Sequence, residues 1–172
     1  MDLPLHPKLV HLPIALAVLM PLLTGGLLLA IWRDWLPKKA WSIAGIAQLL
    51  LVGSGWLALR SGEADEHRVE RAVPEAVLER HEEAGERFVW GAVFVLALVA
   101  MPLLMGGRRQ MRATLVLASA GTLGVLYLGF DVGQRGGELV YGHLVGNAAA
   151  SASAVDVPTP ARLRRSDDDD DR

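Results

Sequence analysis

The chain contains no cysteine among its 172 residues. This absence excludes disulfide bonds, thiolate zinc sites, iron–sulfur clusters and the Cys-x-x-Cys-His attachment of a c-type haem. Any metal must therefore bind to histidine, carboxylate or methionine side chains, or be part of a cofactor that is held without a covalent bond. The five histidines of the chain are the first candidates.

Charged residues are missing from four long stretches, although they make up 21% of the chain. The uncharged stretches are residues 9–32, 41–59, 88–107 and 113–130. About 20 consecutive apolar residues are enough for a helix to cross the hydrocarbon core of a bilayer. The sequence therefore predicts an all-α fold, an integral membrane four-helix bundle with its last span extending to about residue 132.

The segments outside the spans differ in character. Residues 60–87, between the second and third spans, contain nine acidic residues and five arginines. Strong helix formers follow Pro74, so we expect a short helical cap outside the membrane that runs directly into the third span. Residues 147–172 are small and polar, and we expect a disordered tail there. The membrane domain is thus predicted to be residues 1–146.

An even number of crossings places both termini, the cap and all five histidines on one side of the membrane. The two short connections on the other side carry six basic residues against the single acid Asp34: Arg33, Lys38, Lys39, Arg108, Arg109 and Arg112. Basic residues are enriched in cytoplasmic loops of membrane proteins. This pattern predicts that the N- and C-termini are periplasmic or extracellular.

Every histidine lies near a boundary of a predicted span, and each helix end on that side of the membrane brings at least one. Imidazole is the commonest protein ligand for transition metals, and ligands on several helix ends converge when a bundle closes. Glu63 and His67 are four residues apart, so a continued second helix would place both on one face. The predicted metal ligands are His6, His11, Glu63, His67, His81 and His143.

Among these residues, His11 is the strongest candidate, because it lies where the first apolar run begins and an imidazole there needs a partner. His81, which precedes Glu82 and Glu83, ranks second. His6 and His11 are separated by about 140° around an ideal helix, so they do not share a face unless His6 precedes the helix. Each histidine also has a purely structural interpretation, as a helix cap, a solvated loop residue or the partner of a neighbouring acid.

Asp131 ends the fourth apolar run, where an unpaired carboxylate would be costly, and Arg135 follows one helical turn later. The structural interpretation is an ion pair between them. Arg135 could equally bind a haem propionate, so the candidate cofactor ligands are His11, His81 and Arg135. Gln48, the strongly polar residue of the second run, is expected either to bind a neighbouring helix or to line a polar path.

Three separated segments are similar to a bacterial membrane family. They are residues 6–15 (HPKLVHLPIA), 81–85 (HEEAG) and 136–143 (GGELVYGH). Together they resemble the family catalogued as domain of unknown function twenty-two thirty-one, over about residues 3–146. The resemblance implies a four-helix protein of the bacterial inner membrane with its motif histidines on one face, and it implies no settled activity. Leu12 stands where an aromatic residue is expected.

We therefore expect an integral membrane protein that binds haem b or a transition metal ion at its histidine-bearing face, for electron transfer or metal handling. The alternative is a non-catalytic membrane subunit or small transporter that uses the histidines and acids of the cap for docking to a redox or transport partner, or for pH sensing. The sequence has no nucleophile–base pair or cofactor fingerprint typical of an enzyme, although metal-dependent hydrolysis stays open. The lipid bilayer is the expected partner, and nothing favours nucleic-acid binding.

Overall fold

The computed structural model of the protein describes residues 6–65, 73–104 and 108–146. These residues form the helices α1 (His6–Leu9), α2 (His11–Trp32), α3 (Ser42–Asp65), α4 (Glu75–Leu104) and α5 (Arg108–Gly137). A 3₁₀ turn, Lys38–Trp41, precedes α3, and a π-helical segment, Glu138–Val145, follows α5. No strand occurs in the described ranges, and the predicted all-α fold is confirmed.

Four helical stretches are long and apolar enough to cross a membrane: His6–Trp32, Lys38–Asp65, Glu75–Leu104 and Arg109–Gly142. The first of them joins α1 and α2 across Val10, whose N–H donates to the carbonyl of His6 at 3.2 Å. Pro13 has no N–H to offer the carbonyl of Leu9, which accounts for the local irregularity between the two helices. The chain is therefore a multi-pass membrane protein, as the uncharged stretches predict.

The four spans form a closed ring of antiparallel neighbours. Helix α2 packs against α3 and α5, and α4 packs against the same two helices, while the short α1 lies against α3. Small side chains make up much of the interface and are almost completely buried; among them are Ala17, Ala44, Ala92 and Ala118. Large apolar side chains such as Leu22 and Leu104 are exposed on the outside. Small residues between the helices and large apolar residues on the outer surface are typical of helices that pack closely within lipid.

Two polar contacts tie the spans together inside the bundle. The fully buried Gln48 donates from Nε2 to the carbonyl of Ala92 at 2.9 Å, linking α3 to α4. The hydroxyl oxygens of Thr24 and Thr122 lie 3.2 Å apart and link α2 to α5. The expectation that Gln48 binds a neighbouring helix is confirmed.

Trp41 closes one end of the bundle. Its side chain has no exposed surface, and its indole Nε1–H donates to the carbonyl of Val99 at 2.8 Å. The 3₁₀ turn places this indole between the spans, since α4 and α2 both contact the turn. The Trp41 indole thus fills space between the spans, where many of the neighbouring side chains are small.

The charged cap between the second and third spans is built from extensions of two spanning helices. Residues 60–65 continue α3, and residues 75–87 form the first part of α4, so the predicted run of the cap into the third span is confirmed. Residues 66–72, between these extensions, lie outside the described part of the chain, as does the predicted tail, 147–172. The division of the chain at residue 146 stays a prediction.

Candidate functional site

Two histidines from different spans meet at the end of the bundle formed by the two helix extensions. The ring centroids of His6, on α1, and His81, on α4, are 6.2 Å apart, and the ring planes are nearly perpendicular at 86°. They are brought together because α1 packs on the end of α3 while α4 runs back alongside it. We call these two residues the histidine pair and this end of the bundle the histidine end.

His6 is oriented by the last turns of α3. Its Nδ1 lies 2.9 Å from the carbonyl oxygen of Ala58 and 3.2 Å from the hydroxyl of Ser61. A carbonyl oxygen only accepts hydrogen bonds, so these contacts assign the ring proton to Nδ1 and leave the lone pair on Nε2. The backbone N–H of His6 also donates to the Asp65 carboxylate at 3.4 Å. This arrangement of a carbonyl behind Nδ1 is the one that holds many metal-binding imidazoles in place.

His81 is half buried, and its ring nitrogens have fewer hydrogen-bond partners than those of His6. It lies in the charged first part of α4, before the apolar stretch that begins at Phe88, and so outside the membrane-spanning segment. Its Nδ1 is buried and has no hydrogen-bond partner. Burial lowers the pKa of His81 below the ordinary 6.5, the charges of His6 and Arg135 lower it further, and a hydrogen bond to the backbone of Val132 partly opposes them. The lowered pKa keeps the imidazole mostly neutral at pH 7.

Each ring of the histidine pair rests against a glycine. A Cβ added at Gly62 would lie 3.3 Å from both Cε1 and Nδ1 of His6. A Cβ added at Gly136 would lie 3.2 Å from Cε1 of His81. A methyl group at either position would require the ring to shift by a few tenths of an ångström, and a larger side chain would displace it further. Sequence reasoning missed both, although Gly136 belongs to the third of the similar segments.

The predicted ion pair of the fourth span is confirmed. Nε of Arg135 lies 3.0 Å from the Asp131 carboxylate, and both side chains are about one-third exposed, at 29% and 32%. This ion pair lies near His81, since the charge of Arg135 lowers the pKa of that imidazole. A cationic side chain is thus available beside the histidine pair, already held by its carboxylate.

The other predicted ligands do not join the histidine pair in the described part of the chain. His11 is exposed, so the structure places His6 and not His11 beside His81. The two residues are separated by about 140° around a helix that has already begun at His6, and the role of His11 as a ligand stays a prediction. Glu63 is exposed and lies 3.5 Å from Arg60 on the same helix.

Two of the predicted ligands cannot be placed at the site. His67 lies outside the described residues, and so does the side chain of His143. Among the residues that the structure describes, no group of three or more histidine or carboxylate side chains could hold a metal ion. Within the described ranges, the site therefore consists of two imidazoles and one nearby guanidinium.

We predict that the metal-free protein loses stability as the pH falls below 6.5, the ordinary pKa of His81. Unfolded chains take up a proton near that pH, whereas the folded protein keeps the imidazole neutral until the pH reaches its lowered pKa. The unfolded state then binds more protons, so the free energy of unfolding decreases through this interval on acidification. Thermal unfolding in detergent across this range is the measurement. His81→Asn should flatten the dependence and His11→Asn should not; an unchanged slope in His81→Asn would contradict the assignment.

Comparison with known proteins identifies a family and no individual relative. The family model described as "Predicted membrane protein (DUF2231)" matches residues 2–149. No curated protein and no solved structure matches the chain. The family match covers both members of the histidine pair, both glycines behind them and all four spans. With this match over most of its length, the chain belongs to the DUF2231 family of membrane proteins.

Proposed function

We propose that this integral membrane protein binds a transition-metal centre between His6 and His81, for electron transfer or metal handling. The observation that carries the proposal is the approach of two imidazoles from different spans to a centroid distance of 6.2 Å. Two imidazoles that meet edge to face gain little from each other, whereas a metal ion would bind both.

The protonation of the pair suits metal binding. Metal ligation requires a deprotonated ring nitrogen. His6 offers the lone pair of Nε2, because its Nδ1 is directed at the Ala58 carbonyl, and His81 has a buried Nδ1 without a partner. A metal about 2 Å from each of two opposed imidazole nitrogens separates the ring centroids by about 6 Å. The observed separation is of this size.

Haem b is the form of the metal that the donor set favours. The porphyrin supplies most of the ligands of a haem iron, so His6 and His81 alone would suffice to hold it, and the haem would supply one-electron chemistry. A bare ion would need further ligands besides the two imidazoles, and the described residues supply no group of three side chains. Arg135, which is partly exposed beside His81, provides a cation for a propionate. A bare ion bound by the same two imidazoles, with water as the remaining ligands, is the other form.

We also propose that the histidine end lies on the periplasmic side of a bacterial inner membrane. The opposite end of the bundle carries the exposed basic residues Arg33, Lys39, Arg109 and Arg112. Basic side chains near span ends favour the cytoplasmic side. A metal centre at the histidine end would then face the compartment in which soluble electron carriers or incoming metal ions are met.

The experiment is an absorbance spectrum and a metal analysis of the full-length protein, expressed with adequate haem supply and purified in detergent. A Soret band that accompanies stoichiometric iron supports the haem form, and stoichiometric metal without a Soret band supports the ion form. Protein that is folded, carries neither, and takes up neither haem nor added metal ions contradicts the proposal.

A second candidate function, pH sensing by a non-catalytic membrane subunit, is favoured by the environment of His81. Its buried Nδ1 has no partner, and a proton placed there would face the charges of His6 and Arg135. Acidification would then loosen the contact between α1 and α4 at the histidine end. Metal-free protein that co-purifies with a stoichiometric membrane partner at neutral pH and releases it on acidification would support this candidate over the first.

A further inference from the structure

A polar pocket lies at the opposite end of the bundle from the histidine pair. Its volume is about 280 Å³, and its walls come from the end of α2, the connection to α3 and the first turns of α5. The polar side chains in its lining are Asp34, Lys38 and Arg112, and Trp32 is among the apolar ones. This volume is below the roughly 300–1,000 Å³ of pockets that enclose drug-sized ligands, so only a small group fits.

The pocket exists because the chain reverses sharply after α2. Asp34 has a φ of 57°, in the left-handed region that a non-glycine residue seldom adopts. The N–H groups of Trp35 and Leu36 both donate to the carbonyl of Ala30, at 2.9 and 3.3 Å. This tight closure turns the chain back across the end of the bundle. Lys38 is thereby placed in the same wall as Arg112, which is far from it in sequence.

The charge of the lining favours an anion. Lys38 and Arg112 contribute two positive charges, and Asp34 contributes one negative charge. The pocket also faces the start of α5, where the positive end of a 30-residue helix dipole lies. A single phosphate group matches this net charge, since Lys38, which also has an interaction within the protein, and Arg112 outweigh the one carboxylate of the lining.

The exposed side chains beside the pocket indicate that the anion belongs to a membrane lipid. Trp32 and Trp35 are exposed beside it, at 49% and 67%, and the guanidinium of Arg33 lies 5.6 Å from the Trp35 ring centre. Exposed tryptophan and arginine side chains at the end of an apolar span mark the level of the lipid headgroups.

We propose that this pocket binds the phosphate of an anionic lipid headgroup, with Lys38 and Arg112 as its ligands. Basic pockets between spans at the headgroup level select anionic lipids by this chemistry. Asp34 limits the affinity, because its carboxylate lies in the same lining and repels the phosphate. This proposal does not depend on the proposed metal centre, which would lie at the other end of the bundle.

The test is a lipid titration of delipidated full-length protein in uncharged detergent, followed by native mass spectrometry and tryptophan fluorescence. Phosphatidylglycerol and phosphatidylcholine with identical acyl chains are compared. We expect tighter binding of phosphatidylglycerol, and a loss of about fivefold in that preference for each of Lys38→Gln and Arg112→Gln. Asp34→Asn should shift the preference in the opposite direction.

Lys39→Gln is the matched control. Lys39 carries the same charge in the same turn, but it is exposed and does not line the pocket, so its removal should change the preference by less than about twofold. Inorganic phosphate is added in a separate arm. Displacement of the lipid by millimolar phosphate, or equal losses for Lys38→Gln and Lys39→Gln, would overturn the proposal in favour of a free-phosphate site or of nonspecific surface charge.

Discussion

If the proposed metal centre is bound between the two imidazoles, His81→Ala and His6→Ala should each abolish it while the four spans remain folded. Each substitution removes one of the two imidazoles, and a centre held by one protein ligand exchanges readily with solvent and detergent. We expect the stoichiometry of bound haem or metal to fall at least about tenfold, the size of loss that follows removal of even a supporting group around a metal site. Metal content and the Soret band are measured against protein concentration after one purification protocol.

His11→Ala is the control for this prediction, because His11 is exposed and lies outside the histidine pair. It should retain the full metal content. Loss of the centre in His11→Ala with retention in His6→Ala would show that the wrong imidazole has been assigned. A far-ultraviolet circular dichroism spectrum of each variant establishes that the helices have formed.

Gly136→Val tests the same assignment without removing a ligand. Its Cβ would approach Cε1 of His81 to 3.2 Å, and the added methyl groups would displace the ring from its partner. Gly133→Val, one helical turn earlier, has no neighbouring atom within 4 Å of its Cβ and serves as the control. We expect a severe loss of bound metal in the first variant and none in the second. Equal metal content in both would mean that the position of His81 does not matter.

Trp41→Ala should cause the largest loss of bundle stability among single substitutions. The indole is completely buried and donates to the carbonyl of Val99 at 2.8 Å. Truncation of the indole leaves a cavity between the spans. Within lipid, the loss of stability comes from the lost packing contacts and the lost hydrogen bond. We expect the free energy of unfolding to fall by about 2–4 kcal/mol, toward the lower part of the range for aromatic truncations in water-soluble cores.

The measurement is reversible unfolding in mixed micelles. Trp35→Ala is the matched control, since the Trp35 side chain is 67% exposed in the connection just before the same turn, and its loss should cost less than about 1 kcal/mol. Trp41→Phe, which keeps a ring and removes the N–H, should fall between the two. Similar unfolding curves for Trp41→Ala and Trp35→Ala would contradict the role given to the buried indole.

Much of the fold could be predicted from the sequence because spanning helices depend on local composition. A charged side chain in the hydrocarbon core costs free energy wherever it lies, so uncharged stretches mark the spans without any knowledge of their neighbours. The ion pair of Asp131 and Arg135 was predictable for the same reason, since both residues lie on one helix a single turn apart. The extension of α4 through the cap followed from its helix formers.

The candidate site was only partly predictable. Both members of the histidine pair were among the proposed ligands, but His11 was ranked above His6 because its burial was inferred from its place at the edge of an apolar run. In a membrane helix, an apolar neighbourhood does not say which face meets the other helices and which meets lipid. Gly62 and Gly136 were missed, since their importance depends on the rings that lie against them.

The sequence alone determined the four membrane spans, because they follow from the cost of placing charge in lipid. The position of all five histidines on one side follows from counting the crossings and stays a prediction. Only the tertiary structure decided which imidazoles meet. The rotation of each helix about its own axis is set by the packing of small residues such as Ala44, Ala92 and Ala118 between spans. That rotation directs His6 and His81 toward each other and leaves His11 exposed.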